Sequence, residues 1–317
     1  MARNNKSMCK ARTNPDDEFY THLEDIEMEL KHYKEFFKDA IITCPCGESQ
    51  KTMFYKYFMS NRVALGWKEL RVIGYNTKEP AHVIIVKNNM EEEHPECIDI
   101  TLRGNGDFRN NDTKTIIGGG ILEYEVNGVA KEMELEKSDR VVENPPFSLF
   151  REFVKLVMEV GVELLIIGNK NAMKYNEIFP YFQSEKMCWG YYSPADFTQP
   201  EGHKKKEMAG LTRWFTTLPI RKRERTIDTG LTYKKGMERG FYQEIDNVVD
   251  AEGNKALCVN KTNQIPMDYK GVMGVPITYT DYHSPKQFKI VGVEPCPIVK
   301  GKKIYSRLLI QKIDEEI

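Results

Sequence analysis

The residues able to do chemistry sit close together in one stretch, Asp139-Arg140-Val141-Val142-Glu143-Asn144-Pro145-Pro146-Phe147-Ser148-Leu149-Phe150. Asn144 has a side-chain carbonyl, Pro145 a backbone carbonyl, and Phe147 a flat aromatic face. An aromatic NH2 group is a poor nucleophile because its lone pair is delocalised into the ring. Two acceptors that take hydrogen bonds from it draw the nitrogen towards tetrahedral geometry and free the lone pair for attack on a methyl sulfonium. An aromatic ring at the fourth position can stack on the base. Asn144, Pro145 and Phe147 can fill these three roles, with Pro146 stiffening the turn. A strand ending in a proline turn has the same local sequence, so the rest of the chain has to decide between the two readings.

The positioning elements can be read around this stretch. Val141 and Val142 end a short apolar run that reads as a buried strand, and two consecutive prolines forbid its continuation because neither can donate to a ladder. Leu149, Phe150, Phe153, Val154, Val157 and Met158 then recur at helical spacing up to Gly161, a C-terminal stop. Asn144 is therefore expected on a strand-to-helix turn at the carboxyl edge of a sheet, where open α/β sheets bind ligands.

The other elements support such a sheet. Residues 14–38 are expected to form an amphipathic helix, opened by Asn14-Pro15-Asp16 and striped by Leu23, Ile26, Leu30, Tyr33 and Phe37. Ala40 to Thr43 reads as a strand leading into a tight turn, Cys44-Pro45-Cys46-Gly47-Glu48, and then a helix with Phe54, Tyr57 and Phe58. Strand, glycine turn and helix is how a Rossmann-like sheet brings backbone N–H groups to a nucleotide-like cofactor. Further strands are read at 70–76, 83–86 and 163–169. The alternation of strands and helices from Ile41 to Ile167 gives a doubly wound α/β core. Thr212 to Leu218 is expected at the antiparallel end of the same sheet, with Trp214 or Phe215 in the core or against a base pocket. Gly106-Asp107-Phe108-Arg109 can form an adenine pocket, the carboxylate accepting from the amine and the ring covering the base. Residues 112–137 read as an inserted β-hairpin around Asn127-Gly128, a strong turn signal, with a Glu-rich outer face that suits a structural or protein-contact role.

Composition narrows the class. The chain has 317 residues, 40% hydrophobic and 29% charged, with 16 Tyr and 15 Phe, ample for one large core or a core plus a smaller lobe. No apolar run is long enough to cross a bilayer and no signal peptide is evident, so a cytoplasmic protein without a membrane partner is expected. The seven cysteines fit reduced thiols, and Cys44 and Cys46 lack a second pair at zinc-site spacing, so no metal is expected. Net charge is −1, so nucleic-acid contact must come from local clusters: His203-Lys204-Lys205-Lys206 and Arg221-Lys222-Arg223-Glu224-Arg225. The string from Val259 to Thr278, with Asn260, Lys261, Asn263 and Gln264, offers side chains that read base edges.

Asp17-Glu18-Phe19-Tyr20-Thr21, Gly106-Asp107-Phe108-Arg109, Asn144 to Glu152 and the Val259 to Thr278 string occur in the same order as in the EcoRI-type adenine-specific DNA methyltransferases, which the chain closely resembles. The resemblance implies a Rossmann-like class I S-adenosylmethionine-dependent methyltransferase fold with an inserted β-hairpin and a carboxyl-terminal target-recognition region. It implies a catalytic domain over 1–220 and target recognition over 221–317. S-adenosylmethionine would be the methyl donor, double-stranded DNA the substrate and N6 of a flipped adenine the acceptor. Phe19, Tyr20 and Thr21 would close over the cofactor, with Cys44, Pro45, Cys46, Gly47, Glu48, Asp107 and Phe108 completing its site. Lys204, Lys205, Lys206, Arg221, Lys222, Arg223, Asn260 and Lys261 would contact DNA. The chain departs from the general class I pattern at Cys44, where an acid is usual, and at Asn76, near the usual ribose-binding acid. The enzyme would act as a monomer, as the partner of a cognate restriction endonuclease or as a solitary or phage-borne enzyme. Two alternatives stay open: an RNA or protein-glutamine N-methyltransferase, and a non-catalytic DNA-binding module on the same fold.

Overall fold

The computed structural model describes residues 20–47, 52–74, 82–89, 95–101, 121–126, 129–134, 137–198 and 206–313. Phe19, Glu48, Asn76, the Asp107-Phe108 segment, the Asn127-Gly128 turn and the run 203–205 lie outside them. The chain divides into two compact units, Met1–Ala172 with Gly190–Leu218, and Met173–Trp189 with Pro219–Ile317.

The first unit begins with β1 (Tyr20–Thr21), α1 (Leu23–Leu30) and α2 (Lys34–Phe37). The single helix expected over 14–38 is thus replaced by a strand and two helices. Beyond Leu30 the chain tightens, with His32 N donating to Glu29 O and Tyr33 N to Leu30 O. The side chains explain the break: the Tyr33 hydroxyl donates back to the buried Glu29 carboxylate at 2.6 Å, and His32 stacks on Tyr191 at 4.1 Å. The apolar stripe survives the change, since Ile26, Leu30, Tyr33 and Phe37 are all fully buried.

β2 (Ile41–Gly47), α3 (Met53–Ser60), α4 (Arg62–Leu65) and β3 (Glu69–Gly74) follow, and then β4 (His82–Lys87) and β5 (Glu96–Thr101). The expected tight turn at Pro45 is instead extended backbone through Gly47. The ladder with β3 slips between Cys44 and Gly47, so a bulge absorbs the residue that cannot donate. Thr52 caps α3, its Oγ1 accepting from Tyr55 N at 3.0 Å. β6 (Ile121–Val126) and β7 (Val129–Glu134) form the expected hairpin, with Leu122 opposite Met133 and Val126 opposite Val129. β8 (Arg140–Glu143), α5 (Phe150–Val160) and β9 (Glu163–Asn169) come next.

β10 (Cys188–Trp189) belongs to the second unit, and β11 (Asp196–Thr198), β12 (Lys206–Glu207) and β13 (Thr212–Thr216) return to the first. Within the first unit the main sheet runs β13-β9-β8-β2-β3-β4-β5. β9, β8, β2 and β3 are parallel, and β13 is antiparallel to β9. β4 and β5 are antiparallel to their neighbours, which corrects the simple strand-helix alternation. The segment 75–81 is too short for the crossover a parallel connection needs. Trp214 meets Phe54 of α3 edge-on at 6.2 Å, and Phe215 meets Phe150 of α5 at 5.0 Å. Neighbours in a strand point to opposite faces, so helices cover both faces of the sheet. Both rings are fully buried core residues.

The second unit contains α6 (Phe179–Gln183), α7 (Tyr233–Glu238) and the strands β14 (Gln243–Val249), β15 (Lys255–Cys258), β16 (Met273–Pro276) and β17 (Phe288–Glu294). β18 (Ile298–Val299), β19 (Lys302–Lys303) and β20 (Arg307–Lys312) complete it. Its sheet runs β14-β15-β16-β20-β17 over a core that includes Ile245, Val275, Tyr279, Phe288, Leu308 and Ile310. No helix among the described residues is long and apolar enough to cross a membrane.

Candidate active site at the carboxyl ends of two parallel strands

From β2 the chain proceeds to β3 on one side, while β8 lies on the other, so the sheet switches direction between β2 and β8. Ligands bind α/β sheets outside the carboxyl ends of strands at such a switch. Asp139 sets the register there: its backbone N donates to Ile41 O at 2.9 Å and its Oδ2 accepts from Ile41 N at 2.8 Å. Thr43 then stands opposite Val141. Cys44 and the end of β8 leave the ladder side by side.

The turn after β8 obeys its prolines. Glu143 ends the strand, Pro146 is extended (φ −51°, ψ 129°), Phe147–Leu149 makes one 3-10 turn, and α5 starts at Phe150. Glu143 is 3% exposed, and its Oε1 accepts from Asn144 N at 2.8 Å. The side chain thereby supplies the acceptor that the interrupted ladder does not. Asn144 Nδ2 donates to Thr21 Oγ1 at 3.1 Å, which ties the amide to β1 and leaves Oδ1 as its acceptor. Phe147 meets Phe197 edge-on, centroids 6.5 Å apart. Tyr20 and Thr21 of β1 pair with Thr198 and Phe197 of β11. One short ribbon thus touches both ends of the Asn-Pro-Pro-Phe turn.

Helix α5 is anchored behind the turn. Phe150 is 2% exposed and lies over Gly168 of β9, where an added Cβ would fall 2.3 Å from its Cε2. The helix ends at Gly161 with φ 83°, the left-handed stop expected of glycine there.

On the neighbouring strand, Cys44 is fully buried. Burial, with a smaller contribution from the Glu143 charge, pushes its thiol well above the ordinary value. The side chain is a neutral thiol rather than a thiolate ligand or nucleophile. Pro45 is buried beside it, and Cys46 and Gly47 are placed as backbone in β2.

A second group of polar residues braces the ribbon. Glu29 is completely buried and accepts from the Tyr33 hydroxyl, Tyr191 N at 2.9 Å and Tyr192 N at 2.6 Å. Gly190 makes this approach possible, because a Cβ there would sit 2.1 Å from Glu29 Oε1. His22 Nε2 lies 3.0 Å from Thr198 Oγ1, and Asp25 is hydrogen-bonded to the Tyr192 side chain.

The structure therefore brings together Tyr20, Thr21, Cys44, Pro45, Cys46, Gly47, Asn144, Pro145, Pro146 and Phe147 in the first unit. Glu143, Phe197 and Glu29 were missed in the sequence. An acid closing a buried apolar strand, as Glu143 does, is a readable signal because it must find a donor. Phe197 lies in a three-residue strand with no local pattern to mark it.

The nucleic-acid candidates are placed separately. Lys204 and Lys205 lie outside the described residues, and Lys206 is placed as backbone in β12. Arg221, Lys222 and Arg223 form a 3-10 turn in the second unit. Lys222 pairs with Asp281 at 3.6 Å. Arg223 pairs with Glu185, whose other oxygen meets His283 Nε2 at 2.9 Å, so this guanidinium serves an internal network. Asn260 and Lys261 are exposed, and Asn260 Oδ1 accepts from Arg307 Nη2 at 2.9 Å.

The family model described as adenine-specific methyltransferase EcoRI matches residues 7–315. Type II methyltransferase M.EcoRI of Escherichia coli is 33% identical over 349 aligned positions that cover 98% of each chain. Type II methyltransferase M.MpnI of Mycoplasma pneumoniae is 28% identical, covering 96% of this chain and 97% of the relative. Type II methyltransferase M.MgeORF184P of Mycoplasma genitalium is also 28% identical, covering 96% and 98%. No solved structure matches significantly. With a family match across nearly its whole length and the Asn144 turn at the switch point of its sheet, the chain belongs to the EcoRI-type adenine-specific methyltransferases.

Proposed function

We propose that this protein transfers a methyl group from S-adenosylmethionine to N6 of an adenine flipped out of double-stranded DNA, as the modification enzyme of a restriction–modification pair or as a solitary enzyme. The observation that carries the reading is the geometry of the Asn144 turn. Thr21 holds the Nδ2 end of the amide, so that Oδ1, with the Pro145 carbonyl, can accept from the two amine hydrogens. Phe147 stacks on the extruded base. Extrusion costs a few kcal/mol of unstacking, offset by this pocket. Catalysis is positioning plus relief of amine conjugation, without a covalent enzyme intermediate.

The residues at the switch point fit a sulfonium cofactor. Glu143 contributes a buried carboxylate, a favourable neighbour for a cation, and the neutral Cys44 thiol does not compete for its methyl group. Tyr20, Thr21 and the Cys44 to Gly47 backbone would hold the cofactor, with Phe19, Glu48, Asp107 and Phe108 completing the site. When bound, S-adenosylmethionine supplies the electrophilic methyl group. We assign the first 220 residues to a Rossmann-like class I catalytic domain and 221–317 to target recognition. Lys204, Lys205, Lys206, Arg221, Lys222, Asn260 and Lys261 would contact DNA, and Arg223 would brace the basic turn through Glu185.

Purified protein incubated with labelled S-adenosylmethionine and unmethylated duplex DNA, then digested to nucleosides for mass spectrometry, tests the reading. N6-methyladenine from wild type, formed at least about a hundredfold more slowly by Asn144→Ala, is the expected result. Unmodified DNA from a folded, cofactor-binding wild type would overturn it.

A further inference from the structure

The second unit carries a small hairpin, β18 and β19, held by an apolar anchor: Val299 is buried in a cluster with Ile245, Ala256 and Cys258, and Ile304 packs against the same cluster. Its backbone is pinned by side chains of β14. Asn247 Oδ1 accepts from Ile298 N at 2.8 Å, and Asp246 Oδ2 accepts from Gly301 N at 3.1 Å. Ser306 closes the base, its hydroxyl donating to Pro295 O at 3.0 Å while it accepts from Lys174 Nζ at 3.0 Å.

Around this anchor Lys300 at the tip, Lys302 and Lys303 on the two faces of β19, and Tyr305 just beyond it are all exposed. Tyr305 is 91% exposed, a large ring that a rigid hairpin would ordinarily turn inward. Lys300 and Gly301 take φ of 49° and 73°, the paired positive values of a tight two-residue turn. Asparagine or glycine usually occupies the first of these positions; here a conformation that side chains rarely adopt holds a cation at the tip. The run from Cys296 to Ile313 contains the cations Lys300, Lys302, Lys303, Arg307 and Lys312 and no acid, in a protein of net charge −1. Among the described residues the ion pairs of this region join Lys255 to Glu244 and Asp246, not the hairpin lysines.

We infer that this hairpin is a contact for the backbone of duplex DNA, with Lys300, Lys302 and Lys303 neutralising phosphates and the Tyr305 ring resting on sugar or base edge, an inference that rests on the proposed DNA substrate. A preformed loop loses little entropy on binding, and flexible point charges beside one planar ring suit a charged strand bordered by flat bases. The hairpin supplies affinity, since phosphate contacts position a protein on the duplex without reading sequence.

The test is duplex binding by the full-length protein, followed by fluorescence anisotropy over a range of salt concentrations. Lys300→Ala/Lys302→Ala/Lys303→Ala should weaken binding by at least about tenfold and lower the slope of log affinity against log salt by about 2.7, or about 0.9 for each phosphate that is no longer neutralised. Tyr305→Ala should weaken binding about fivefold at unchanged slope. Lys302→Gln alone, expected to fold normally, should lower the slope by about 0.9. Wild-type affinity and slope in all three variants, with wild-type thermal midpoints, would overturn the inference while leaving the DNA-substrate reading intact. Failure of the wild-type protein itself to bind duplex DNA would overturn both.

Discussion

Thr21 and Phe197 stand opposite each other across the ribbon of β1 and β11, and each touches one end of the same turn, Thr21 at Asn144 and Phe197 at Phe147. The ribbon is therefore a clamp on the acceptor group and the stacking ring together. Its orienting hydrogen bond is worth about 1 kcal/mol. Thr21→Val, which keeps the shape and removes the hydroxyl, should lower kcat by about fivefold, and Thr21→Ser should restore it. DNA affinity should stay at the wild-type value in both. Asn144→Ala should lower kcat by about 10²- to 10³-fold, the scale of losing one preorganised polar group at a reacting centre. Single-turnover methylation compared with duplex binding separates these effects, and a Thr21→Val enzyme with full kcat would show that Thr21 does not orient Asn144.

Gly168 tests the anchoring of the turn from behind. A Cβ there would lie 2.3 Å from Phe150 Cε2, and Phe150, buried and packed on Phe215 at 5.0 Å, has little room to retreat. Gly168→Ala should cost about 1–3 kcal/mol by overpacking and lower kcat by displacing the start of α5. Gly161→Ala is the control. Nothing lies within 4 Å of its added Cβ, so only the φ of 83° is strained, at about 1 kcal/mol. Thermal denaturation and kcat measured on both variants should show activity loss in Gly168→Ala alone.

Particular residues mark how far the sequence could be read. Tandem prolines at 145 and 146 and glycine at 161 act on the backbone through their own covalent structure, so the turn and the length of α5 were legible locally. The hydrophobic stripe of residues 23–37 was also legible, because burial follows spacing. The helix break at Lys31 to Tyr33 was not, because it depends on Glu29 meeting Tyr191 and Tyr192 about 160 positions away. The bulge at Pro45 and the antiparallel β4 and β5 escaped for a related reason: register and direction are set by a partner strand, which no single segment encodes. The Thr21 to Asn144 bond spans 123 positions. Only the folded sheet brings those two residues together.

The cysteines give a prediction independent of catalysis. Cys97 and Cys296 are exposed, whereas Cys44, Cys188 and Cys258 are buried, and burial raises the Cys44 thiol far above its ordinary value. Because the thiolate is the reactive form, iodoacetamide at mildly alkaline pH should label Cys97 and Cys296 in the native protein and leave Cys44 untouched until the chain is unfolded. Peptide mass mapping before and after denaturation reads this directly. Early labelling of Cys44 would mean that the end of β2 opens to solvent.

Asp25 should leave a signature in the pH dependence of stability. Burial raises its carboxyl pKa above the ordinary value of 3.8, outweighing the opposing hydrogen bond to Tyr192 and the nearby His22, while Asp196 and Glu24 add to the rise. A carboxyl with a raised native pKa binds its proton more tightly in the folded state. Its contribution is complete below the unfolded value and is lost as pH rises through the raised native value. Asp25→Asn, which cannot titrate, should therefore lose less thermal stability than wild type as pH rises from about 4 through the raised native value. Glu24 keeps a negative charge in the first turn of α1, so the favourable interaction with the helix N-terminus is retained in part. Melting curves of both proteins across that window would decide: parallel pH profiles would show that Asp25 titrates as an ordinary surface carboxylate, and a flatter profile in the variant would show that the ribbon beside Asn144 encloses a desolvated acid.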